Sequence, residues 1–368
     1  SLHFGHLIIV NYGGVMSLMN FILDTGVRTT ILTESIVAGF LELDSIQKVK
    51  VRGLGVGDPI DAIMAQNVAM MLPGGVVGKG INMLVLPEDM ISYSGMFGKP
   101  VYGIIGYEIF GQFVVEINYH QKYIKLHNPF SYKQKRKMKE IPIEIANYKP
   151  YMKATIVDFR GEAINQRWLL DTGASNAITL FDEDLPVPDN SINAFLGRGL
   201  SGNVYGKLGR APSFEFGEFV FQDVIAGYPD SASLNMLPKE VKWYGNIGSE
   251  ILSRFTVVFN YHRGRMFVKK NPAYRQEFEY NVSGLEVISS GEEYDTFIIS
   301  YVRPDSPADQ AGLKVNDEIV AMNGFSLESV DITDVYGTLS KRSGRFLNLK
   351  IKRGKETLKA RFKLLSEI

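Results

Sequence analysis

The chain contains no cysteine, which excludes disulfides, thiolate nucleophiles and Cys-ligated zinc. Histidine is nearly as scarce, and five residues leave little material for a His-built metal site. Neither sign of charge is in excess. Forty Lys and Arg balance forty Asp and Glu, so no global field draws the chain to nucleic acid or anionic lipid. No run approaches the ~18 apolar residues that a membrane-spanning helix needs. The first residues, Ser1 to Gly5, lack a charged segment followed by an apolar core and do not read as a signal peptide. The initiator Met is missing as well, which leaves room for a native leader removed upstream. The lack of Cys leaves the compartment open between cytosol and bacterial envelope.

What is present is ordinary for a globular protein. A length of 368 residues, 45% apolar and 22% charged, excludes disorder, collagen and coiled coil. At ~150 residues per domain it implies two or three domains. The 36 Gly, 18 Tyr and 22 Phe favour β-rich architecture with many turns.

An internal repeat organises most of the chain. An offset of 147 lays Leu23-Asp24-Thr25-Gly26 on Leu170-Asp171-Thr172-Gly173, and also Gly14 on Gly161 and Ile31 on Ile178. An offset of 142 aligns 102–126 with 244–268 at 11 identities in 25 positions, including Asn118-Tyr119-His120 with Asn260-Tyr261-His262. Two related halves, 1–130 and 140–270, follow. Short β-prone runs bounded by Gly, Asn and Pro recur in both, with one short helix each at Tyr107–Phe110 and Ser249–Leu252. The basic joint Ser131–Lys139 has no aromatic interleaving and reads as a solvated linker rather than a nucleic-acid site.

Each Asp-Thr-Gly triplet follows an apolar strand. A carboxylate at the end of a buried strand is costly unless it is hydrogen-bonded or functional. Two such triplets at equivalent places in a duplicated fold would meet across a pseudo-two-fold axis. Like charges at ~3 Å cannot both ionise, so the pair would share one proton. That supplies a base and an acid around one water, enough to hydrolyse an amide without metal or covalent nucleophile.

On these residues the sequence resembles the aspartic peptidases over about 270 residues. The apolar-apolar-Asp-Thr-Gly signature occurs twice, and so does the apolar-apolar-Gly element, here Ile104-Ile105-Gly106 and Asn246-Ile247-Gly248. The resemblance implies Asp24 and Asp171 as the catalytic pair, Thr25 and Thr172 bonding to the opposite half, and Gly26 and Gly173 allowing close backbone approach. Val27 and Ala174 stand where pepsin-like enzymes have Ser or Thr, and Ala174 gives the retroviral-type Asp-Thr-Gly-Ala. Asn246 replaces an apolar residue, and Arg28 is unusual so close to the triplet. Halves of ~130 residues without Cys fit a fused pair of retropepsin-like units. The Gly-rich stretches with Gly53-Leu54-Gly55 and Gly199-Leu200-Ser201 would then be flaps closing over substrate.

Other glycines and histidines do not carry a site. Gly197–Gly202 formally matches G-x-G-x-x-G, but no helix can open after it, and Gly75–Gly80 lacks the Ser/Thr of a phosphate loop. His3 and His6 have no visible third ligand, and His120 and His262 sit in matching structural turns.

Residues 278–368 have no counterpart in either half. Ser306-Pro307-Ala308 with Ala311-Gly312-Leu313 reads as a capped short helix, Asp317–Gly324 as a strand into a turn, Val330–Leu339 as a helix and Phe346–Ile351 as a strand. The pattern resembles a bacterial-type PDZ domain, although Asn316 stands where Gly commonly precedes the Asp. The resemblance implies that Gly284, Leu285, Glu286 and Val287 receive a peptide's C-terminal carboxylate while the peptide adds a strand. Glu286 is less apolar than that position usually is.

The expected fold is therefore mainly β, two pseudo-symmetric retropepsin-like acid-protease β-barrel lobes plus a small α/β PDZ domain. The expected function is an aspartic endopeptidase acting on a peptide or unfolded-protein substrate, with a C-terminal peptide ligand for the PDZ domain. No cofactor, nucleic acid or membrane span is expected. A monomer is expected, and a bacterial periplasm or envelope location follows only from the protease–PDZ pairing. The alternative is a catalytically silent peptide-binding scaffold on the same fold.

Overall fold

A computed structural model describes residues 4–10, 16–34, 46–87, 93–182, 185–235, 243–340 and 343–368. Gly14 and His3 of the sequence analysis lie outside the described residues. The chain is mainly β and divides into two compact units.

The first unit takes in residues 1–91, 102–188 and 196–278. Its first sheet has seven strands in the order Phe4–Val10, Met16–Leu23, Gly103–Ile105, Thr30–Leu32, Val76–Val85, Ile60–Leu72 and Ile46–Val51. A second sheet of eight strands uses Ala163–Leu170, Gly245–Ile247, Ile178–Leu180 and Phe219–Pro229 in the same succession. The registers repeat as well. Leu23 lies parallel to Ile105, and Leu170 parallel to Ile247; Ile31 lies parallel to Leu84, and Ile178 parallel to Ala226. These are the 147 and 142 offsets of the sequence, expressed as strand pairing.

Why Gly follows these short strands is steric. A β-carbon on Gly106 would lie 2.1 Å from the Val27 carbonyl oxygen, and one on Gly248 would lie 2.0 Å from that of Asn176. The short helices at Tyr107–Phe110 and Ser249–Leu252 start directly after these glycines.

A third sheet draws on both repeats. Its order is Lys139–Pro142, Arg265–Lys270, Phe255–Asn260, Val114–Asn118 and Tyr123–His127, with Asn118 opposite Thr256. The basic joint before it is not simply solvated. Tyr132 and Met138 are buried with Val114, Val258 and Phe267, and Lys135 bonds the buried Glu116 at 2.6 Å. Apolar anchors spaced within the charge run hold it on the sheet.

The second unit comprises residues 92–101, 189–195 and 279–368. Its six-stranded sheet runs Leu285–Ser290, Thr296–Val302, Glu318–Met322, Phe346–Arg353 and Glu356–Lys363, with Phe325–Ser326 pairing off Glu318–Met322. Helices Pro307–Gln310 and Ile332–Leu339 accompany it, the first capped by Ser306 Oγ accepting from Asp309 N–H at 3.3 Å.

Candidate functional site

Each triplet leaves its strand in a turn anchored from the side. Asp24 N–H donates to the Ile105 carbonyl at 2.8 Å, and Asp171 N–H to the Ile247 carbonyl at 2.9 Å. Both threonines are buried and reciprocal. Thr25 Oγ1 donates to Leu170 O at 2.6 Å and Thr172 Oγ1 to Leu23 O at 2.8 Å, while each backbone N–H meets the other's Oγ1 at 3.0 Å. Four hydrogen bonds thus lock the two turns face to face.

The structure brings Asp24 and Asp171 together: the β-carbon position of Gly26 lies 3.0 Å from Asp24 Oδ1 and 3.4 Å from Asp171 Oδ1. Gly26 and Gly173 lie against the pair. A β-carbon on Gly173 would stand 2.3 Å from Asp24 Oδ2, and one on Gly26 would stand 3.4 Å from the Asp171 carboxyl carbon. Burial, then the neighbouring Asp171 charge, pushes Asp24 well above the ordinary carboxylate range. Burial raises Asp171 too, but more donors oppose it, and the Lys149 charge pulls both down.

The donors decide which carboxyl keeps the proton. Asp24 Oδ1 accepts from Gly26 N–H at 2.6 Å, its one donor among the described residues. Asp171 Oδ1 accepts from Gly173 and Ala174 N–H, both at 3.0 Å, and its Oδ2 accepts from Asn246 Nδ2 at 2.6 Å. Hydrogen bonds to the charged form favour it, so Asp171 ionises first and Asp24 holds the shared proton. Trp243 Nε1 in turn donates to Asn246 Oδ1 at 3.2 Å and fixes the amide's orientation. The role of Asn246 escaped the sequence reading, although the polar residue breaking an apolar element was its signal. Arg28 lies over the Tyr148 ring at 4.2 Å, and that ring meets Tyr107 edge-on at 4.7 Å.

The two glycine-rich tips also meet. Gly53 N–H donates to Ser201 Oγ at 3.1 Å, Ser201 N–H to Leu54 O at 3.1 Å, and Gly57 N–H to Ser201 O at 2.5 Å. Gly55 N–H donates to Ser233 O at 3.1 Å. Gly199 packs so tightly on Leu54 that a β-carbon would fall 2.0 Å from its carbonyl oxygen, and Leu200 packs on Gly53.

In the second unit, Gly284 has a φ of 82° and Leu285, Glu286 and Val287 open the edge strand Leu285–Ser290. Their polar groups are engaged: Leu285 N–H donates to Ser283 Oγ at 3.1 Å and Val287 N–H to the Tyr336 hydroxyl at 3.1 Å. The hydroxyl also lies 2.8 Å from Glu286 Oε2. Burial pushes the Glu286 carboxyl up to about 7, against the opposing pull of Tyr336 and Arg303.

Among the described residues no three His, Asp or Glu side chains gather as a metal site, and no helix is long and apolar enough to cross a membrane. A comparison with curated proteins finds no match. Among solved structures, a photosystem II D1 C-terminal processing protease is similar at 18% identity and a TM-score of 0.22. The similarity covers 25% of this chain and spans only 25% of that protein's length. Residues 268–364 match the family model of the PDZ domain, and this part of the chain is a PDZ domain.

Proposed function

We propose that the chain is an aspartic endopeptidase in which 1–130 and 140–270 are retropepsin-like lobes and 278–368 is a domain for peptide docking or regulation. The observation that carries this reading is the half-buried Asp24–Asp171 pair, set side by side by turns that reciprocal threonine bonds grip. In this reading the Asp171 carboxylate takes a proton from a water whose oxygen attacks the scissile carbonyl carbon. Asp24 gives its proton to the carbonyl oxygen, forming a neutral gem-diol. The proton on Asp171 then passes to the amide nitrogen while Asp24 recovers one from a diol hydroxyl, and the C–N bond breaks. The tips at Gly53–Gly55 and Gly199–Ser201 would part to admit an extended peptide and close over it.

The test is a diverse peptide library read by mass spectrometry. Asp24→Asn and Asp171→Asn are each expected to abolish cleavage while leaving the fold intact, because one group cannot supply both acid and base. Retention of more than about 5% of wild-type activity in either variant would sink the assignment. A wild-type chain inactive at every pH from about 3 to about 7 would leave the silent-scaffold alternative.

A further inference from the structure

A PDZ domain ordinarily takes a peptide as an added strand on an open sheet edge. Here the corresponding edge is Leu285–Ser290, which among the described residues pairs on one side only, with Thr296–Val302, and packs against helix Ile332–Leu339. Several of its backbone groups are already taken. Leu285 N–H is held by Ser283 Oγ, and Ser283 N–H by Asn281 Oδ1 at 3.1 Å. Val287 offers both backbone groups to the Tyr336 hydroxyl, at 3.1 Å from its nitrogen and 3.0 Å from its oxygen.

Ser289, at the far end of the strand, is met by a segment from far earlier in the chain. Its Oγ donates to Gly95 O at 2.8 Å. Gly95 lies so close that a β-carbon would stand 2.8 Å from Ser289 O, and the β-carbon position of Gly98 is 3.1 Å from Ile332 Cγ2 at the start of the helix. Helix Ser94–Phe97 thus lies between strand and helix at the mouth of the groove. The segment is preformed as a closed loop: Ser94 Oγ bonds Val101 N–H at 2.9 Å, and Lys99 N–H donates to Ser94 O at 3.3 Å. Tyr93, Ser94 and Val101 are buried.

We infer that the groove of this PDZ domain takes the chain's own residues 93–101 as its ligand and is closed to C-terminal peptides while they are in place. The N–H groups of Leu285 and Ser283, which a free carboxylate would need at this loop, are already held by Ser283 Oγ and Asn281 Oδ1. The held loop ends at Val101, and Gly103–Ile105 follows, the strand whose Ile105 carbonyl anchors Asp24. Occupancy of the groove therefore acts as a clasp on chain leading straight to the Asp24 turn. The inference stands whether or not the carboxyl pair hydrolyses peptides.

The chain lacks Cys, so an engineered pair is its only thiol pair. The Gly98 β-carbon position lies 3.6 Å from Ile332 Cβ, within disulfide range. Gly98→Cys with Ile332→Cys is expected to oxidise at least about tenfold faster than Gly98→Cys with Thr357→Cys, which sits on the opposite edge of the sheet. Equal rates would overturn the inference. The oxidised clasp should bind no member of an array of hexapeptides with free apolar C-termini. Binding equal to that of Gly95→Val, whose added side chain expels the loop, would overturn it too. In the unaltered chain, amides of 93–101 should exchange with deuterium as slowly as those of Ile332–Leu339; exchange at open-loop rates counts against the clasp whatever the variants do.

Discussion

Asp24 and Asp171 share a sequence context but not an environment. Both triplets were legible because the motif is local and occurs twice. The difference between them was not, because it comes from Asn246, distant in sequence and brought beside Asp171 by the parallel pairing of Leu170 with Ile247. Read along the chain, Asn246 only spoils an apolar run. In space it is the third donor to Asp171 and sets which carboxyl ionises first. Asn246→Leu restores the apolar pattern and removes that donor. A hydrogen bond to a charged group is worth about 1.5–3 kcal/mol and one pKa unit about 1.4 kcal/mol, so the Asp171 pKa should rise by about one unit or more. On the acid limb of kcat/KM the pair passes from two protons to one, and that proton leaves Asp171. The acid limb should therefore move to higher pH by about one unit while the basic limb, which reports Asp24, stays. Movement of the basic limb alone would reverse the roles of the two carboxyls. In the native chain both groups are raised, so the active window is expected at mildly rather than strongly acidic pH.

At the scale of elements, short signals were read well where the chemistry is local. Ser306-Pro307 marked a helix start because the cap and the fixed φ of proline act within one turn. Asn316 stands in for a glycine because its φ of 71° is in the left-handed region, which Asn tolerates. The loop 93–101 carried no such signal, since its partners Ser289 and Ile332 lie far along the chain. Glu286 belongs to the same groove and makes its stability depend on pH. Its carboxyl sits at about 7 against an ordinary 4.5, raised mainly by burial. A raised folded-state pKa gives stability that is complete below the unfolded value and lost as pH climbs through the folded one. The loss should run from about pH 4.5 to about pH 7 and reach at most about 3 kcal/mol. Glu286→Gln is expected to flatten that slope in denaturant titrations of the full chain, keeping the Tyr336 hydroxyl as partner. An unchanged slope would remove Glu286 as its source.

At the scale of the whole first unit, the duplication is legible twice, as sequence offsets and as strand register. What the offsets could not give is how the copies join. They join through a sheet to which both contribute, with Val115 opposite Phe259 and Asn118 opposite Thr256, and through the four threonine bonds. The glycine-rich tips add a third junction, Ser201 with Gly53, Leu54 and Gly57. Every one of these contacts lies within a single chain. A site assembled between two chains loses activity on dilution by mass action, since the dimer dissociates. Here the halves are covalently joined, and their effective concentration is set by the joint at 131–139, itself pinned to the sheet by Tyr132 and Met138. Specific activity on peptides is thus expected to stay constant when the protein is diluted from micromolar to nanomolar, and the active species in sedimentation to be one chain. A steep fall in specific activity that tracks dissociation would mean that the working site is built between chains, and that the pairing of Asp24 with Asp171 within one chain is not the catalytic one.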